Sequence, residues 1–120
     1  MNTRQIVTAF YSSFESKDFG ALRAMLHDDL DFQGPMDRYG NADTFVTKLA
    51  KLSRLTESLR MNHLFVDGDR ACCVYEWVTI TPVGDSAVAD YLEVHDGRIA
   101  RIRSHQDARP WIALFPQRAA

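Results

Sequence analysis

The sequence predicts an α+β domain in which helices come first, an antiparallel meander follows, and the helices pack on one face of a curved sheet. Three observations carry this reading. Apolar residues recur at helical spacing through the first half of the chain. The period changes from 3.6 to 2 near Leu59. The second half is divided by the turn strings DGD at Asp67–Asp69, PVGD at Pro82–Asp85 and Asp96-Gly97. The chain has 120 residues and a mass of 13.7 kDa, the size of one domain spanning residues 1–120.

The elements follow in order. Asn2 to Ser16 reads as a helix: Asn2 caps it with Gln5 three places on, and Val7, Phe10, Tyr11 and Phe14 form an apolar stripe. Asp18 caps a short second helix with Leu22, Met25 and Leu26 inward. A short strand follows, Leu30 and Phe32 alternating with Asp29 and Asp31. The string QGPMDRYGN reads as a loop from its Gly and Pro content. Asn41 caps a third helix whose buried side is Phe45, Leu49 and Leu52. Strands are predicted from about Leu59 to Val66, Arg70 to Thr81, Ala87 to His95 and Arg98 to Asp107. Pro110 ends the regular structure and leaves Trp111, Leu114 and Phe115 as an apolar tail. The order is α-α-β-α-β-β-β-β.

Charge and motifs narrow the function. Lys and Arg number 14 against 16 Asp and Glu, a net charge of −2, so the basic footprint of a nucleic-acid binder is missing. The longest uncharged apolar run, near ACCVY, is too short to span a bilayer. The first twenty residues have neither a long apolar core nor a small-residue cleavage site, and the expected location is cytoplasmic. Cys72 and Cys73 are adjacent and read as two free thiols. The four histidines, His27, His63, His95 and His105, fall on separate elements and give no metal-ligand spacing. With no phosphate loop, GxGxxG, HExxH or nucleophile elbow, no cofactor or metal is expected.

Three strings, AFYSSFESKDFGALRAMLHDD, VDGDRACCVYEW and DYLEVHDGRIARIRSHQDARPW, resemble the SnoaL-like polyketide cyclase group of the nuclear transport factor 2-like superfamily. The resemblance covers nearly the whole chain. It implies a cone: three N-terminal helices packed on a strongly curved, mostly antiparallel sheet that wraps an apolar pocket. It also implies a homodimer through the outer sheet face, here using some of Tyr75, Trp77, Tyr91, His95, Arg103 and His105. The superfamily holds isomerases, cyclases, epoxide hydrolases and non-catalytic binding proteins, so the fold alone does not choose the chemistry.

Three residues are candidates for catalysis. Asp90 matches the position where ketosteroid isomerase-like members carry a protonated Asp that donates to an oxyanion. Period-2 counting sets Asp90 with Leu92 and Val94 on one face; it either points into the pocket or begins its strand half-solvated. By the same resemblance, the tyrosine of those members falls on Phe10, with Tyr11 next to it, and their base Asp falls on Gly34. Asp107 matches the acid/base Asp of SnoaL-like cyclases. It faces the pocket if a bulge shifts the strand end, and otherwise pairs with Arg109 or caps the turn before Pro110. His63 could act as a base near neutral pH, and alternation makes it a rival of Asn62 for the pocket. Ser104 stands where epoxide-hydrolase members carry an Asp, and shares the less charged face of its strand with Ile102 and Gln106. Tyr11, Phe14, Phe32, Asn62, Trp77, Leu92, Ser104 and Gln106 are the expected ligand-binding set, the aromatic members serving equally as core. Two functions follow: cofactor-free acid/base chemistry on a small apolar or aromatic carbonyl compound, or a non-catalytic ligand-binding or dimerisation module.

Overall fold

The structure is a computed structural model that describes residues 1–115. Helix α1 spans Thr3–Glu15 and is closed at its start by a capping box: the Gln5 N–H donates to Asn2 Oδ1 at 2.9 Å, and the Asn2 N–H donates to Gln5 Oε1 at 2.8 Å. Its buried side is Ile6, Val7, Phe10, Tyr11 and Phe14. Asp18 caps α2 (Phe19–Ala24) by accepting from the Ala21 N–H. Strand β1 (Leu26–Gln33) follows at once, and the loop expected after it contains a two-residue strand, β2 (Arg38–Tyr39). Asn41 caps α3 (Ala42–Ser53), accepting from the Thr44 N–H at 2.8 Å. Replacing Asn41 with Ala is expected to cost about 1 kcal/mol, read from the midpoint of urea denaturation, because the Thr44 N–H then loses its acceptor.

The second half is β3 (Thr56–Asp67), β4 (Arg70–Thr79), β5 (Asp85–His95) and β6 (Arg98–Gln106). The four run antiparallel in succession. The hairpin between β5 and β6 turns on Asp96 and Gly97, both with positive φ, the conformation that a two-residue turn with the right twist requires. One six-stranded sheet results, ordered β2-β1-β6-β5-β4-β3, with β1 parallel to β6. Register shifts between Met61 and His63 and between Glu93 and Val94 bend the ladder. The chain is thus an α+β protein with a curved, unclosed sheet.

Alternation along β4 and β5 decides which face is covered. Ala71, Cys73, Trp77 and Thr79 of β4 and Ser86, Val88, Asp90, Leu92 and Val94 of β5 are buried and share one face of the sheet. Tyr75 and Trp77 therefore face inward, which removes them from the outer face where a dimer contact was expected to use them. The C-terminal tail is also different from expectation. Pro110 does not end the regular structure but stands in the first turn of a fourth helix, α4 (Arg109–Leu114), where its missing N–H costs nothing. Trp111 of this helix stacks on Trp77, centroids 4.8 Å apart, and forms with Val88 a second apolar cluster beside the main core. No helix among the described residues is long and apolar enough to cross a membrane.

Candidate functional site

Strand β5 lies between β4 and β6, and Asp90 sits at its middle, opposite Cys73 on one side and Ser104 on the other. Only 5 % of Asp90 is exposed. Two hydroxyls converge on one of its oxygens. Tyr11, brought over the sheet by α1, donates to Oδ2 at 2.7 Å, and Tyr75 of β4 donates to the same oxygen at 2.8 Å. The two rings lie 5.3 Å apart. Oδ1 has no hydrogen-bond partner among the described residues.

Burial pushes the Asp90 carboxyl above the ordinary range, against the opposing pull of the Ser104, Tyr11 and Tyr75 hydroxyls and the His105 charge. The Ser104 hydroxyl stands on the Asp90 side of β6 and favours the carboxylate as a hydrogen-bond donor would, but it makes no bond of good geometry to Oδ1. Burial, then the negative charge of Asp90, pushes both tyrosines well above the usual phenol value, so they remain donors. Burial likewise pushes the Cys73 thiol up to about 12, which makes it an inert core group. Since both lone pairs of Oδ2 are engaged by phenols, the proton of neutral Asp90 belongs on Oδ1. In that neutral form the cluster is a carboxylic acid with a fixed orientation and one donor, on Oδ1, that no described residue engages.

Asp90 lines a cavity of about 430 Å³, inside the size range of small-molecule sites. Its walls are Phe10, Tyr11 and Phe14 from α1, Phe32 from β1, Phe45 from α3, and the inner faces of β4, β5 and β6. Of the expected residues, Tyr11, Phe14, Phe32, Trp77, Asp90, Ser104 and Gln106 come together on this wall. Four do not. Leu92 is fully buried in the core but does not line the cavity. Asn62 and His63 are exposed on β3, where the shift between Met61 and His63 sets His63 opposite Val74 of the outer face, stacked on Phe65. Asp107 lies just past the end of β6, so no bulge turns it inward. Its carboxylate is gripped by Arg109 at 2.7 Å and held down at about 2 by that guanidinium. Of the two placements the sequence left open for Asp107, the pairing with Arg109 is the one that forms, and the carboxylate does not reach the cavity that Asp90 lines.

Among the lining residues outside the expected set are Asp37 in the β1–β2 loop, Lys48 on α3, Tyr75 and Trp111. Tyr75 shares the parity of Cys73 and Trp77, which was a usable signal. Asp37 comes from a loop and Trp111 from the tail, where periodicity says nothing, and Lys48 lies on α3 outside its apolar stripe of Phe45, Leu49 and Leu52. Phe10, which resembled the family's tyrosine position, instead packs edge-on against Tyr11 and parallel to Phe45. Adjacent residues on α1 are both buried, and it is the hydroxyl of Tyr11 that reaches Asp90. Among the described residues no group of three or more His, Cys, Asp or Glu could hold a metal ion. A larger trough of about 760 Å³ lies between the start of α1 and the Gly68 and Gly97 turns; it is open to solvent, and its Asn2 side chain is committed to the helix cap.

A sequence model of the SnoaL-like domain matches residues 7–102. No curated protein matches the sequence. Among solved structures, a protein from Kribbella flavida superposes with a TM-score of 0.85 at 25 % identity, covering 96 % of this chain and 94 % of that one. A nuclear transport factor 2-like protein of unknown function from Cytophaga hutchinsonii gives 0.83 at 19 % identity, covering 93 % and 96 %. A candidate polyketide cyclase from Sinorhizobium meliloti gives 0.77 at 19 % identity, covering 84 % and 94 %.

Proposed function

The chain belongs to the SnoaL-like domain family, and on that footing we propose that it binds a small, mainly apolar carbonyl compound and performs cofactor-free acid/base chemistry of the isomerase or cyclase type on it. The observation that carries the reading is Asp90, buried, lining the cavity, and held by Tyr11 and Tyr75 so that its second oxygen is uncommitted. In its neutral form Asp90 donates from Oδ1 to the carbonyl oxygen and stabilises the enolate that forms when a neighbouring C–H is deprotonated. Tyr11 and Tyr75 are positioning residues. Asp37, half-buried on the cavity wall, is the carboxylate assigned to accept the carbon-bound proton. The proton passes from carbon to Asp37; its return to a different carbon completes an isomerisation, while in a cyclisation the enolate carbon attacks a second carbonyl and the Asp37 proton is delivered to the alkoxide so formed.

The placement of Asp107 outside the cavity favours a second reading, a binding module without turnover, since it removes one expected acid/base group. α-Tetralone in heavy water separates the two. Binding with deuterium uptake beside the carbonyl, lost in Asp90→Leu and in Asp37→Asn, supports the enzyme. Binding without uptake supports the module. Absence of binding ends both.

The proposal includes a homodimer on the outer sheet face, where Phe65 is 60 % exposed beside His63 and where Tyr91 and Arg103 also stand. Light scattering at micromolar concentration is expected to give twice the 13.7 kDa chain mass, and Phe65→Glu to shift it towards one copy.

A further inference from the structure

The Asp90 cluster leaves a second buried polar atom of the same cavity unexplained. Trp111 is 3 % exposed and lines the cavity, yet its indole Nε1–H has no hydrogen-bond partner among the described residues. Its stacking neighbour differs on this point: Trp77 donates from Nε1 to Thr56 Oγ1 at 2.8 Å. The stack, with rings 4.8 Å apart and 20° from parallel, accounts for the Trp111 ring but not for its N–H. A donor withdrawn from water without an acceptor costs about 1–3 kcal/mol, a cost that a phenylalanine in the same stack would avoid.

The location of Trp111 gives the orphan donor a use. Its cluster includes Val88, which lies two residues before Asp90 on the same face of β5, about 7 Å along the strand. Tyr75 and Trp77 repeat that offset on β4: Tyr75 serves Asp90, and Trp77 stacks on Trp111. The cavity therefore has an Asp90 end and a Trp111 end, with apolar wall from Val88 and Ile102 also lining it.

We infer that Trp111 is a specificity-determining residue that donates from Nε1 to a second acceptor oxygen of the ligand, so that the cavity selects an apolar ring body carrying acceptor oxygens at opposite ends. The inference rests on the reading of Asp90 as donor to the first oxygen. It makes the ligand's orientation a consequence of two fixed donors rather than one, and it disfavours compounds with a single carbonyl, which leave the indole N–H unmet.

The test uses nitrogen-15-labelled protein titrated with α-tetralone and with its two methoxy derivatives that carry the ether oxygen on the far side of the aromatic ring. At least one methoxy compound is expected to bind about five-fold more tightly than α-tetralone, the worth of one neutral hydrogen bond. With that compound the Trp111 indole proton signal should move downfield, while the Trp77 signal stays in place. Trp111→Phe should abolish the five-fold preference and also assigns the two signals. Binding of α-tetralone with no methoxy preference, or a preference that survives in Trp111→Phe, overturns the role of Trp111 alone. Failure of all three compounds to bind overturns it together with the carbonyl reading of Asp90. The signal shift in the unaltered protein keeps the test valid if the variant folds poorly.

Discussion

Asp90→Asn is expected to stabilise the protein at neutral pH and to change little in acid. The folded-state pKa of Asp90 lies above the unfolded value of about 3.9, because burial penalises the charged form. Below the unfolded pKa both states hold the proton and the native contacts are fully favourable. As pH rises, the unfolded chain releases its proton first, and stability falls until the folded pKa is passed. Asparagine does not ionise, so the variant lacks this fall. Its amide oxygen can accept from Tyr11 and Tyr75 as Oδ2 does, and its NH₂ takes the place of the protonated Oδ1. The difference between the two proteins should start near zero at about pH 3 and grow by about 1.4 kcal/mol for each pH unit that separates the two pKa values. Carboxylates whose pKa is lowered, such as Asp31 beside Arg103, lose stability in acid equally in both proteins and cancel in the difference. Urea denaturation at intervals of pH measures the curve. A variant that is less stable at every pH would mean that Asp90 is ionised and well served in the native state, contrary to its role as an acid.

The parts of the molecule visible in the sequence are those governed by local periodicity. The capping box at Asn2, the caps at Asp18 and Asn41, and the Asp96-Gly97 turn are short-range devices, and each forms as its residues dictate. The inward face of β5 was equally legible, because Asp90 travels with Leu92 and Val94. The less charged face of β6 was too: Ile102, Ser104 and Gln106 all line the cavity. What could not be read was set at long range. Which α1 aromatic meets Asp90 depends on how the helix rolls over the sheet, and a buried stripe containing both Phe10 and Tyr11 does not choose between them. Trp111 belongs to the site because α4 folds back onto Trp77, a contact between segments 34 positions apart in sequence with no local signature. Asp107 was placed by family resemblance at a strand end, where one residue of register decides between cavity and solvent. The strand stops at Gln106, and Arg109, two positions beyond Asp107, captures the carboxylate.

The double substitution Tyr11→Phe with Tyr75→Phe should have the largest cost of any change that leaves the apolar packing intact. Both hydroxyls serve one oxygen, at 2.7 and 2.8 Å, so removing one leaves the other to carry the whole interaction. Removing both strips Oδ2 of every hydroxyl donor that Asp90 now has on it. A hydrogen bond to a charged group contributes about 1.5–3 kcal/mol and one between neutral groups about 0.5–1.5 kcal/mol. The loss should therefore depend on pH: about 1–3 kcal/mol where Asp90 is protonated, rising to about 3–5 kcal/mol where it is ionised. It is capped there, because a carboxyl deprived of donors takes up a proton rather than remain a bare buried charge. The same logic gives a sign for the titration. Both hydroxyls favour the carboxylate, so each single substitution should raise the Asp90 midpoint and the double should raise it further. The two single effects should not add, since the phenols compete for the same oxygen. Carbon-detected titration of Asp90 in the four proteins, with urea denaturation in acid and at neutral pH, reads both quantities. A midpoint that stays put or falls in the Tyr11 variant, or a stability cost equal in acid and at neutral pH, would mean that the tyrosines pack against Asp90 without setting its proton, and the acid in the cavity would lose its tuning.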